Sequence, residues 1–197
     1  MHIIDEFLPK VKFNNLANFV MSNKFPWFYA DQVSLPPEEH NINDPCALET
    51  DGWYHMLYSD DEDYKNGGMF FDAFLDFFEE LSQTFGYTQD DLLRARLGLK
   101  VPKLGYNKEN YNLPHIDVRS SHDTIIYYLN DSDGDTRIFE ENYRDYNDKE
   151  PTKFTVKDTV QPKANRLLLI DGFQYHTASN PINVNRRIVL NVNLKCK

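Results

Sequence analysis

A chain of 197 residues has room for one domain with a well-buried core, and a second independent domain is not expected. Hydrophobic residues make up 41% and aromatics 14%, with Tyr and Phe far outnumbering Trp, a globular composition suited to strands that pack aromatic side chains inside a sandwich or barrel. A formal net charge of −10 removes any overall attraction to phosphate backbones or anionic lipids, so nucleic acid is a disfavoured partner and no membrane association is expected.

The first ten residues lack the basic start and apolar run of a secretory signal, and no later segment is long and apolar enough to span a bilayer. A cytoplasmic protein, or one in a host cytoplasm for a viral chain, is expected. Cys46 and Cys196 do not make a disulfide framework. Phe13, Leu16, Phe19 and Val20 fall on one helical face and predict a first helix over 11–22. The stretch 31–66 is acidic and turn-rich, with Pro36-Pro37 and the run Ser59-Asp60-Asp61-Glu62-Asp63. Trp53, Tyr54, Met56 and Leu57 interrupt it as an early strand or as a segment lying over the core. A broad apolar stripe, Phe70, Phe71, Phe74, Leu75, Phe77, Phe78 and Leu81, predicts a helix over 69–85 that packs on a sheet. Thr88 with Asp91 three residues on reads as a helix cap.

From about residue 96 the period becomes two. Leu97, Leu99 and Val101 alternate with Arg96, Gly98 and Lys100, and strands are expected at 123–130, 136–140, 153–157, 166–170, 173–178 and 187–194. Helices first and strands second predict a mainly β fold, a double-stranded β-helix or jelly roll, with N-terminal helices packed on one sheet. Residues 1–95 would form a mainly helical support carrying the acidic loop 31–66, residues 96–197 the jelly-roll core, and 1–197 together a single domain.

Pro114-His115-Ile116-Asp117 is the first chemical anchor, because residues i and i+2 of an extended segment point to the same side. His176, after the strand Arg166–Ile170 and the turn Asp171-Gly172, is the natural third ligand. Two histidines and one carboxylate on one face of a metal leave positions open for a chelating co-substrate and dioxygen, the arrangement of non-haem iron(II) oxygenases. A co-substrate with a remote carboxylate needs a cation at the far end of the pocket. Arg186 and Arg187 open the last strand with opposite faces, and Val189, Asn191 and Asn193 share the side of Arg187. His122 is an alternative to His176. His2, His40 and His55 are expected at the surface, Tyr106 and Tyr111 as exposed loop tyrosines, and Asp131-Ser132-Asp133-Gly134 as a hairpin turn rather than a calcium loop.

Three segments resemble the prolyl-4-hydroxylase-like branch of the iron(II)- and 2-oxoglutarate-dependent oxygenases, including its short phage and bacterial forms. They are Pro114–Asp117, the stretch TIIYYLNDSDGDTRIFEE at 124–141, and RLLLIDGFQYHTASNP at 166–181 leading into RRIVLNVNL. The resemblance covers about half of the chain, all of it C-terminal. It implies His115, Asp117 and His176 as iron(II) ligands and Tyr128 and Arg187 as the anchors of 2-oxoglutarate, with Arg187 favoured over Arg186. It also implies dioxygen as co-substrate, ascorbate as an optional reductant, and decarboxylation of 2-oxoglutarate to succinate and CO2 coupled to hydroxylation. A prolyl or other residue of a peptide or protein is the implied substrate, with a free amino acid or small metabolite as the alternative and a non-catalytic jelly-roll metal-binding module as the rival class. The segment PKLGYNKENYNL at 102–113 lacks the Tyr-Pro-Gly sequence that precedes the metal motif in the oxygen-sensing members, which puts the prolyl substrate in doubt. Manganese, nickel or zinc would suit the same ligands. The oligomeric state is not encoded in any of these patterns.

Overall fold

The computed structural model describes residues 1–31, 42–48, 51–60, 67–145 and 151–197, so most of the acidic excursion, His40 included, lies outside the described residues. In chain order the elements are β1 (His2–Ile4), α1 (Lys10–Val20), β2 (Phe28–Ala30), β3 (Ala47–Leu48), β4 (Gly52–Ser59), α2 (Leu75–Phe85), β5 (Leu92–Lys100), β6 (Tyr111–Asn112), β7 (His122–Tyr128), β8 (Thr136–Asn142), β9 (Val156–Val160), β10 (Arg166–Asp171), β11 (Gln174–Ala178) and β12 (Arg187–Lys195). Seven strands form one antiparallel sheet in the order β1-β10-β7-β12-β5-β4-β2, and β11-β8-β9 form a smaller sheet facing it. β3 and β6 add a short parallel pair. This is the expected jelly roll.

The alternation of each central strand divides its residues between two cores. Ile125 and Tyr127 of β7, Leu167 and Leu169 of β10, and Ile188, Leu190 and Val192 of β12 join the helix-side core with Leu16 and Val20 of α1 and Phe77 and Leu81 of α2. Their neighbours Ile126, Tyr128, Leu168, Ile170 and Val189 turn the other way and meet Ile138 and Val160 of the small sheet. A one-residue slip would exchange the two faces, so burial on both sides fixes the register that places the site.

The N-terminal part differs from the mainly helical support read from the sequence, because β1, β2 and β4 extend the large sheet at both edges. β1 and β2 have three residues each, too few for alternation to register as a pattern. The predicted helix over 69–85 begins only at Leu75: Phe70 adopts a left-handed conformation with φ of 69°, and a 3-10 turn over Phe71–Phe74 leads in. Gly86, at φ 76°, ends it with a left-handed cap. Thr88 and Asp91 form the expected capping box on the short turn Gln89–Asp91. His55 is a correction: it is 2% exposed, its ring nitrogens 3.0 Å from the carbonyl oxygens of Pro26 and Met69. It occupies an inward position of β4, amid Phe25, Phe28 and Phe70.

Candidate active site

The extended segment before β7 and the strand β11 are joined by an isolated antiparallel bridge between His115 and His176. β11 shifts register against β8 between Gln174 and His176, and an irregularity of this kind re-aims the side chain that follows it. The His115 Nδ1 lies 3.1 Å from the Leu113 carbonyl and the His176 Nδ1 lies 3.0 Å from the Gln174 carbonyl. A carbonyl oxygen only accepts, so each Nδ1 carries the proton and each Nε2 presents its lone pair. Those two Nε2 atoms and a carboxylate oxygen of Asp117 lie within 4.8 Å of one another. His176 Nε2 is buried without a hydrogen-bond partner, and a buried orphaned acceptor opposite a second imidazole and a carboxylate fits a divalent cation.

Asp117 is held from several sides. Arg94 donates to its Oδ1 at 2.7 Å, while Asn193, Asn191 and Thr124 donate to Oδ2 at 2.9, 3.1 and 3.3 Å. Arg94 is itself oriented by a 2.9 Å bond from Nε to Asn193 Oδ1. Burial alone would raise the Asp117 carboxyl, but the charge of Arg94 and the adjoining imidazoles hold it well below the usual carboxylate range. Burial pushes His115 down to about 4, helped by the charge of His176. Burial also opposes a charge on His176, yet the negative charge of Asp117, 3.6 Å from its Nε2, prevails and raises it.

The other end of the cavity is built on β12, β7 and β8. Arg187 is 4% exposed, and its guanidinium donates to the Gly134 carbonyl and to Thr136 Oγ1, each at 2.8 Å. Tyr128 Oη lies 2.7 Å from the same Thr136 oxygen, and its ring sits 5.6 Å from the Arg187 guanidinium carbon. Among the described residues no carboxylate comes within ion-pair distance of Arg187, so a buried cation faces the cavity together with two hydroxyl groups. Arg186 points to solvent, as the strand phase predicts.

Several site residues escaped the sequence reading. The polar positions of β5, which alternation alone would place toward solvent, line the cavity instead: Arg96, Gly98 and Lys100 stand beside Arg187, Val189 and Asn191 of β12. Burial pushes Arg96 down to about 10, with the charge of Arg94 adding to the effect, and burial pushes Lys100 down to about 7. Thr136 was equally unmarked. Tyr106 and Tyr111 are buried rather than exposed; Arg137 stacks 4.7 Å over the Tyr111 ring, whose hydroxyl bonds Asp44. His122 lies apart from the ligand cluster, with Nδ1 2.7 Å from the Ser120 carbonyl and its ring pressed on Gly172, where a Cβ would approach within 2.3 Å. Both cysteines are free.

No family model matches the chain, and no curated protein matches it. Solved structures share its fold. A prolyl hydroxylase from Trichoplax adhaerens, in complex with a hypoxia inducible factor oxygen degradation domain peptide, superposes with a TM-score of 0.55 at 13% identity, covering 98% of this chain and 83% of the other. A prolyl-4-hydroxylase from Pseudomonas putida gives 0.54 at 14% identity over 100% and 92%. The non-heme alpha ketoglutarate dependent epimerase SnoN gives 0.60 at 12% identity over 98% and 77%. The fold is therefore that of the 2-oxoglutarate and iron(II) oxygenases, and two of these three neighbours are prolyl hydroxylases.

Proposed function

We propose that the protein is an iron(II)- and 2-oxoglutarate-dependent hydroxylase whose metal ligands are His115, Asp117 and His176 and whose co-substrate anchors are Arg187 and Tyr128, the whole of 1–197 acting as one oxygenase domain. One observation carries the reading. A buried guanidinium with no carboxylate partner among the described residues and a converging His-Asp-His cluster stand at two ends of one cavity. A metal module without co-substrate has no use for the first; a 2-oxoglutarate site needs both, because a carboxylate removed from water requires a charge-assisted partner.

When bound, iron(II) and 2-oxoglutarate supply the oxidising chemistry and the protein supplies orientation. Arg187 and the Thr136 hydroxyl would receive the distal carboxylate, with Tyr128 buried against both. Arg94, Asn191, Asn193 and Thr124 keep the Asp117 carboxylate ionised and prevent it from rotating. Ile126, Val189 and Leu113 line the space between and exclude water from the reacting groups. A residue of a peptide or protein, prolyl among the candidates, is the proposed substrate class, in keeping with the peptide complex of the Trichoplax neighbour. No helix among the described residues is long and apolar enough to cross a membrane.

The test is succinate formation from 2-oxoglutarate by protein reconstituted with iron(II) without oxygen and then aerated, alone and with a proline-containing peptide library. Turnover that disappears in Asp117→Ala and requires higher 2-oxoglutarate in Arg187→Gln is the expected result. Absence of both succinate and 2-oxoglutarate binding in metal-loaded wild type overturns the reading in favour of a non-catalytic metal-binding module.

A further inference from the structure

The strand register divides the cavity into two walls. Position by position across the large sheet, Tyr54, Gly98, Val189 and Tyr128 form one row, and Met56, Arg96, Asn191 and Ile126 form the next toward the metal cluster. The groups suited to the distal carboxylate of 2-oxoglutarate, namely Tyr128, Thr136 and Arg187, belong to β7, β8 and β12. Arg96 stands on the opposite side of β12, and with Trp53 and Tyr54 of β4 it makes a wall that 2-oxoglutarate binding does not call for.

Arg96 differs from the other cations there. Arg94 pairs with Asp117, Lys100 donates to the Asp51 carbonyl at 2.9 Å, and Arg187 is fixed by Gly134 and Thr136. Among the described residues Arg96 makes no hydrogen bond or ion pair, although it is half-buried and lines the cavity. Its cross-strand neighbour Asn191 donates to Asp117, which leaves the Asn191 Oδ1 buried without a partner. A desolvated guanidinium costs free energy unless an anion joins it. Charge points the same way. A divalent ion, Asp117, doubly charged 2-oxoglutarate and Arg187 sum to neutrality, so nothing in the loaded site is left over to meet the charge of Arg96. A neutral prolyl ring gives Arg96 nothing to bind.

We propose that Arg96 binds a carboxylate of the primary substrate, so that the molecule or residue oxidised is an acid, bordered by the Trp53 and Tyr54 rings. The proposal rests on the oxygenase reading of the site. Gly98, between Arg96 and Lys100 on the same face, projects no side chain into the cavity, and a Cβ there would approach Val189 at 3.8 Å.

The experiment uses the full chain loaded with zinc(II), which binds without turnover, and follows binding by calorimetry. 2-Oxoglutarate is titrated first. Matched probes are then titrated into the 2-oxoglutarate complex: N-acetylated amino acids against their amides, and proline-containing peptides carrying Asp or Glu against the same peptides with Asn or Gln. The first pair reads a small acid, the second an acidic peptide. In wild type at least one acid binds more tightly than its amide by roughly tenfold or more, the effect of one charge-assisted pair. Arg96→Met, isolated with an unchanged circular dichroism spectrum, abolishes that preference while 2-oxoglutarate affinity stays within roughly threefold. Arg96→Lys keeps part of the preference, which separates loss of charge from loss of packing. Equal binding of acids and amides, or no binding of any acid, overturns the proposal. So does a tenfold loss of 2-oxoglutarate affinity in Arg96→Met with the acid preference intact, which would give Arg96 to the co-substrate. Failure of wild type to bind 2-oxoglutarate at all would instead strike the oxygenase reading, and the acid-against-amide comparison on the zinc protein would still report on Arg96.

Discussion

His115 and His176 each donate a backbone N–H to the carbonyl of the other at 3.0 Å, so the two imidazoles of the candidate metal centre are fixed in register by main chain. Their ring centroids are 5.0 Å apart. The separation of the ligands is set by the fold before any ion arrives.

Metal binding should therefore stabilise the protein without reorganising it. Zinc(II) or manganese(II) at a hundred times its dissociation constant is expected to add about 2.7 kcal/mol of stability. The far-UV circular dichroism spectrum should stay the same, and chelator should reverse the shift in melting temperature. A large gain of strand signal on metal addition would contradict the preformed bridge.

Asp117→Ala leaves Arg94, Asn191, Asn193 and Thr124 facing a void. Removing the common acceptor of buried donors costs about 1–3 kcal/mol, so the metal-free variant should melt below metal-free wild type as well as lose turnover. Denaturant unfolding of both proteins after chelation separates this structural role from metal ligation. Equal midpoints would mean that the four donors find water at no cost.

At the far end, Arg187→Gln would delete the charge-assisted pair proposed with 2-oxoglutarate. The expected weakening of 2-oxoglutarate binding is about 2–3 kcal/mol, or roughly 30- to 150-fold, and Tyr128→Phe should cost less. Arg187→Lys is not a conservative rescue, because one ammonium cannot address the Gly134 carbonyl and the Thr136 hydroxyl in the same fork geometry. Calorimetric titration of 2-oxoglutarate into the zinc protein ranks the four proteins.

Gly134 holds the backbone carbonyl that orients Arg187. A Cβ at this position would sit 2.5 Å from the Ser179 carbonyl oxygen and 2.9 Å from the Pro181 nitrogen, so Gly134→Ala must push backbone aside. The expected cost is about 1–3 kcal/mol in stability together with weakened 2-oxoglutarate affinity. A variant with native affinity would place the control of Arg187 elsewhere.

Acid stability supplies a test remote from the site. Asp5 is held down to about 2 by its hydrogen bond from Arg166, with Lys163 contributing. A carboxyl whose folded value lies below its unfolded one stabilises the fold above the unfolded value, and that contribution fades as pH falls through the folded one. The stability difference between wild type and Asp5→Asn should be constant near neutrality and vanish between about pH 4 and pH 2. The carboxylate is partly exposed, so the difference is expected to be small and to shrink with salt.

How much of this was legible beforehand follows from where the physics is local. The alternation in β7, β10 and β12 is strong because both faces are buried, and it also separated Arg187 from Arg186. His115 and Asp117 share a side because extended chain repeats every two residues. The polar row of β5 received no role because period two tells which residues share a face and not what that face meets. Arg94, Arg96 and Lys100 carry the pattern of a solvated edge, yet the second sheet closes over them. Thr136 has no signature at all, since its role depends on Arg187 arriving from a strand 51 positions away. His55, Tyr106 and Tyr111 were placed outside because polar tips in turn-rich stretches usually are; here carbonyls of distant segments meet His55, a carboxylate meets Tyr111, and packing buries Tyr106.

The three residues of β1 occupy one border of the large sheet, where they pair with Leu167–Leu169 of β10 and are clasped by Asp5 to Arg166. They touch nothing in the cavity. Without them β10 would present a row of unpaired amides and carbonyls beside Leu167, Leu168, Leu169 and Ile170, a template on which another copy could add a strand. In this protein the opening residues guard the oxygenase fold against joining itself edge to edge, and shortening the chain from that end should be felt first as aggregation rather than as altered chemistry.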